Sequence, residues 1–171
     1  MLRVAGIVAL IVLATACGST PVTTTVASPS PVIAQGIWTE GLTFTGDMPG
    51  QMTGIVADTA DLASACTGSK SRVGDVWADT FYGTLDTSGL IWGVVFTIKN
   101  FSGPGSYASG AMTVEMHNTD HSQVWLTLDG DKVTFAIDRS QQSGTLDATM
   151  TNATSGKVAA EHVTGRWNCR G

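Results

Sequence analysis

The chain has 171 residues, of which 43% are hydrophobic and only 13% charged, and its formal net charge is −5. That length accommodates one domain and an additional segment. With typical soluble proteins near about 25% charged, the composition excludes a highly charged disordered chain and a Lys/Glu-rich helical bundle. Nine basic residues spread singly also exclude a nucleic-acid partner, because phosphate binding needs a concentrated Lys/Arg surface.

Residues 1–16 read MLRVAGIVALIVLATA. Arg3 supplies a positive start, Val4 to Leu13 form an apolar run, and Ala14, Thr15 and Ala16 are the small residues that a signal peptidase needs. A spanning helix requires about 20 apolar residues, so the pattern predicts a processed leader. The next stretch, Leu13-Ala14-Thr15-Ala16-Cys17-Gly18-Ser19, resembles the lipobox of bacterial lipoproteins. Its one departure is Ala14 at the third position before the cysteine, where the family usually has Leu. The resemblance implies that the Cys17 thiol receives a diacylglycerol and that Cys17 becomes the first mature residue. One acyl chain holds a protein only reversibly, whereas two hold it stably. The implied partner is therefore a membrane surface, reached without a spanning helix.

Residues 17–35 hold this cysteine and a tether, GSTPVTTTVASPSPVIAQ, with three prolines and no charge. As a flexible coil it reaches about 24 Å, and further where proline stiffens it. From residue 36 to 171 the hydrophobic period becomes two. Trp92, Val94, Phe96 and Ile98 alternate with Gly93, Val95, Thr97 and Lys99. Val133/Phe135/Ile137, Leu146/Ala148/Met150 and Val163/Gly165/Trp167/Cys169 repeat the pattern. Turn residues separate the runs at Thr87–Gly89, Ser102–Gly105, Asp129–Asp131, Ser140–Gly144 and Thr154–Gly156, and Asp129-Gly130 reads as a hairpin. Only Asp58 to Ala65 offers a helical turn. The expected fold is a single all-β domain, an antiparallel β-sandwich or closed β-barrel of about 8–9 strands.

With Cys17 assigned to lipid, Cys66 and Cys169 remain. In an oxidising compartment they are expected to pair, and two free buried thiols are the alternative. The bridge would close a loop of about a hundred residues, which the chain-entropy model values at about 4 to 5 kcal/mol.

His117-Asn118-Thr119-Asp120-His121 is the best polar cluster. His117, Asp120 and His121 carry zinc-type donor atoms, although the same stretch reads as an exposed hairpin loop. Asp129-Gly130-Asp131 lacks the downstream acidic ligands of a calcium loop and reads as a turn. No nucleophile elbow, HExxH, Walker loop or dinucleotide fingerprint is present, so neither an enzyme nor a cofactor is expected. Among the five tryptophans, Trp92 and Trp167 fall on apolar faces. Trp125 is expected outside, with Val124, Leu126 and Leu128 inside, and Trp77 is ambiguous. An outward Trp is a candidate ligand-binding group, by stacking on a sugar or anchoring a protein.

Gly103-Pro104-Gly105-Ser106-Tyr107, Ser143-Gly144-Thr145-Leu146-Asp147-Ala148 and Val163-Thr164-Gly165-Arg166-Trp167-Asn168-Cys169 are similar to a pattern of small secreted bacterial lipoproteins. More loosely they resemble mycobacterial-type surface lipoprotein antigens. These are turn glycines, core positions and a terminal cysteine, so the resemblance implies a fold and no catalytic residue. The expected function is that of a cell-envelope lipoprotein, anchored outside the cytoplasm, whose non-catalytic β-domain binds an envelope glycan, a protein or a small ligand. The alternatives are a barrel that carries an apolar ligand in a cavity lined by Phe96, Phe135 and Met150, and an extracytoplasmic hydrolase.

Overall fold

The computed structural model describes residues 38–59 and 61–169. The expected leader, the anchor Cys17 and the tether lie outside the described residues. Among the described residues eleven strands follow one another: β1 (Trp38–Gly46), β2 (Gly50–Met52), β3 (Ala65–Cys66), β4 (Trp77–Thr84), β5 (Ile91–Ile98) and β6 (Gly105–Ala108), then β7 (Met112–Asn118), β8 (Val124–Leu126), β9 (Val133–Ile137), β10 (Ser143–Asn152) and β11 (Glu161–Cys169). The all-β domain is as expected, and the additional strands are short: β2 and β8 have three residues each and β3 has two. The helical turn described is a 3-10 turn over Gly68–Lys70, beyond the Asp58–Ala65 stretch where one was expected.

Every strand pairing is antiparallel. The main path runs β2-β1-β11-β10-β8-β7-β5-β4-β3, curled into a half-barrel. Strand β10 is the junction. One edge pairs with β11 along its length, while the other pairs with β9 from Gly144 to Ala148 and with β8 at Thr151 and Asn152. Strand β6 completes the sheet beyond β9. Asp129-Gly130 does form a turn, with Gly130 at φ +100° and the Asp131 N–H donating to the Leu128 carbonyl (3.0 Å). The turn does not make a hairpin, because β8 and β9 pair with different parts of β10. The buried Asp131 carboxylate accepts from the Thr151 hydroxyl at 3.1 Å and the Leu128 N–H at 2.9 Å, which ties this turn to β10.

The inner faces hold the core. Trp92, Val94, Phe96 and Ile98 of β5 are all buried, as are Val133, Phe135 and Ile137 of β9 and Leu146, Ala148 and Met150 of β10. The period-two pattern thus sorts these strands correctly. Strand β8 is out of phase with its expected reading. Trp125 stands opposite Met116 of β7, whose inner face is Met112, Val114 and Met116, so the indole turns inward and Leu128 is left 47% exposed. A shift of one residue moves every side chain of a strand to its other face. Trp125 offers the larger apolar area for burial, and the buried Thr127 hydroxyl beside it accepts the Val114 N–H at 3.0 Å.

The centre is filled by rings. Trp77 meets Phe135 and Trp167 edge-on, each at 5.5 Å between centroids, Phe135 stacks on Trp167 at 5.6 Å, and Phe96 lies 4.9 Å from Phe135. Trp77, ambiguous from sequence, is therefore core. Gly68 lies so close beneath it that a Cβ there would stand 2.3 Å from the indole. The Cys66–Cys169 disulfide joins β3 to the end of β11, with the Cα atoms 6.0 Å apart.

Candidate functional site

Trp125 is 3% exposed, which corrects the expectation of an outward ring free to stack on a sugar. Its indole packs edge-on against Trp92 at 5.7 Å. One side of the residue nevertheless forms the floor of a surface cleft of about 290 Å³, lined also by Met48, Gln123, Asn152, Thr154 and Ser155. The Trp125 Nε1–H is buried and points towards the Asp47 carboxyl, beyond close hydrogen-bond distance of any group among the described residues. Beside it, the Asp47 carboxyl is held below the ordinary carboxylate range, chiefly by the Lys157 ammonium at 2.5 Å and to a smaller degree by the Trp125 and Asn152 N–H groups.

The loops around this cleft are tied by local bonds. The Asn152 side-chain oxygen accepts the N–H groups of Thr154 (3.0 Å) and Ser155 (2.9 Å), and the Thr154 hydroxyl donates to the Ser122 carbonyl at 3.4 Å. Among the described residues the Gln123 side-chain amide has no hydrogen-bond partner, so it is available to a ligand. A larger cleft, about 550 Å³, lies over Gly144 and Arg166. Its carboxylate, Asp138, is already taken by the Ser140 and Ser143 hydroxyls.

Behind the Trp125 cleft sits Glu161, pushed up from its usual pKa by burial and 1% exposed. A raised Glu beside a lowered Asp is the split that acid–base pairs use. Here, however, the Glu161 Oε2 accepts the Met48 N–H at 2.7 Å, and its other oxygen is buried without a partner among the described residues. The pair contributes no accessible proton donor to the cleft.

The second cluster lies on the outer face of β4, β5 and β7. Tyr82, Gly93 and His117 stand in register across these three strands. A Cβ at Gly93 would stand 2.5 Å from His117 Cε1 and Nε2, so glycine supplies the notch in which the imidazole lies. His117 is 2% exposed although it faces outward, because Tyr82 meets it edge-on (5.9 Å) and His121 stacks over it (3.8 Å). Its Nδ1 is 2.9 Å from the Asn118 carbonyl.

The expected donor set is brought together only in part. His117 and His121 converge, but Asp120 turns away to accept the Ser122 N–H at 3.0 Å. Glu115 takes its place, with one donor atom each from Glu115, His117 and His121 lying within 4.8 Å of one another. Sequence reasoning passed over Glu115, although period-two alternation already puts it on the face of His117. Gln123 and Asn152 carried no signal, since the β8–β10 pairing that gathers them is long-range.

No family model matches this chain, and neither does any curated protein or solved structure.

Proposed function

We propose that the protein is a lipid-anchored lipoprotein of the bacterial cell envelope whose β-domain binds a neutral, hydroxyl-rich ligand, an envelope glycan, in the cleft floored by Trp125. The lipobox at Cys17 and the tether that follows it support the anchor. The Cys66–Cys169 bridge supports an oxidising, extracytoplasmic location, because such bonds are rare in reduced cytosol. The observation that carries the binding reading is the composition of the cleft. The side-chain amides of Gln123 and Asn152 and the hydroxyl residues Thr154 and Ser155 line an open space beside Trp125 and Met48. Polar groups of this kind, set against an apolar wall, fix and orient small ligands.

The carrier reading finds less support. Phe96 and Phe135, expected to line its cavity, touch each other and the rings around them. Nor does the buried, hydrogen-bonded Glu161 favour a hydrolase.

The test is binding of purified envelope glycan fragments to the native chain and to Gln123→Ala, measured by calorimetry. The variant should bind at least about tenfold more weakly with its melting temperature unchanged, since a surface substitution shifts stability by only about 0.5 kcal/mol. Equal affinity in the two proteins, or no glycan binding by the native chain, would remove this reading.

A further inference from the structure

From the outer face of β4, β5 and β7, which the glycan reading does not use, we infer that Glu115, His117 and His121 form a binding site for a divalent transition-metal ion of the zinc type. Two imidazole nitrogens and a carboxylate oxygen are a donor set that suits zinc, with a fourth position left to water or a small ligand.

Three features support a built site. The first is the state of His117. With Nδ1–H donating to the Asn118 carbonyl (2.9 Å), the lone pair rests on Nε2. A metal-binding histidine is commonly held in this way, its second nitrogen bonded to a backbone carbonyl so that tautomer and ring orientation are fixed. The second is the strand register, which sets Glu115 and His117 two residues apart on one face of β7, with the Gly93 notch beneath the ring.

The third is the loop. His121 has φ +56°, a left-handed conformation uncommon outside glycine. That backbone is fastened by the His121 N–H to the Asn118 carbonyl (3.0 Å), the Asn118 amide to the Ser122 hydroxyl (2.9 Å) and the Gln123 N–H to the Asn118 side chain (3.0 Å). These bonds fix the backbone of the loop that brings His121 beside His117 and leave its ring free to turn.

Binding requires a small rearrangement. Tetrahedral zinc with bonds of about 2.0 to 2.1 Å sets its donor atoms about 3.3 Å apart, against the 4.8 Å within which they now lie. Stacked rings also keep their in-plane lone pairs in nearly parallel planes, so the two do not converge on one ion. The exposed His121 ring turns off the stack to close the site, while His117 and Glu115 stay on the strand. A competing surface pair, His162 with Asp147 at 3.0 Å, offers only two donors and serves as the control.

The experiment is titration of Zn2+ into the chelator-stripped full chain in detergent, read by calorimetry, with histidine proton resonances followed in the native protein. One saturable site is expected. His121→Ala and Glu115→Gln should each weaken it at least about tenfold, His162→Ala should leave it unchanged, and the resonances of His117 and His121 should move together in the native chain. The absence of saturable uptake would overturn the assignment. So would uptake that survives both substitutions, uptake lost in His162→Ala, or Zn2+ that leaves the His117 and His121 resonances in place. The resonance measurement needs no variant, so it stands even if a substitution impairs folding.

Discussion

Asp79 is a charge-bearing residue placed where charge is costly. It lies on the inner face of β4, buried, beside Cys66 on the neighbouring strand. Its Oδ1 accepts the Gly68 N–H at 3.0 Å, while its Oδ2 is buried without a partner among the described residues. Burial pushes the carboxyl up to about 7 from 3.8, against the opposing effect of the Gly68 bond. Since the folded form holds the proton more tightly than the unfolded chain, the stabilisation is complete below about pH 4 and is lost as pH rises to about 7. The shift corresponds to a difference on the order of 4 kcal/mol between the two ends of that window. Burial raises Glu161 as well, with the same sign. Urea unfolding from pH 4 to pH 8 should therefore show stability falling with pH, and Asp79→Asn should remove most of that slope. An unchanged slope in the variant would mean that Asp79 does not titrate in this range.

At the scale of elements, β8 separates what alternation can reveal from what it cannot. The sequence Val-Trp-Leu-Thr-Leu contains two apolar phases, and the side carrying Val124, Leu126 and Leu128 has more apolar residues. The neighbouring strand decides. Met116 of β7 faces the core and stands opposite Trp125, so the pairing pulls the indole inward. Trp125→Ala should thus destabilise the domain by about 3 to 5 kcal/mol, as for other large-to-small core changes. Leu128→Ser, at an exposed position, should cost about 0.5 kcal/mol or less. Denaturant midpoints check both, and a tolerated Trp125→Ala would place the ring outside after all. Strands β5, β9 and β10 were legible because each carries a single consistent apolar phase. The division of β10 between β8 and β9 was not, since partner choice depends on contacts far apart in the chain. The metal-type cluster was half legible for the same reason. Alternation gives Glu115 and His117 a common face, but the approach of His121, and the loss of Asp120 to a local turn, depend on loop hydrogen bonds.

The described domain is tied together by its first and last strands. Strands β1 and β11 pair along their full length, and the Cys66–Cys169 bond, spanning 103 positions, fastens the last strand to the first third of the domain. A bridge over a loop of that size restricts the unfolded chain strongly and belongs in an oxidising compartment. Together with the lipobox-like stretch at Cys17 it supports the proposal of a disulfide-locked β-domain displayed outside the cytoplasm on a lipid anchor. The most direct test is the intact mass of the chain extracted from detergent-solubilised membranes, taken before and after reduction. The predicted mass is that of residues 17–171 plus acyl groups, gaining two hydrogens when the disulfide is reduced. An unacylated chain in the soluble fraction, or a mass that reduction leaves unchanged, would contradict it.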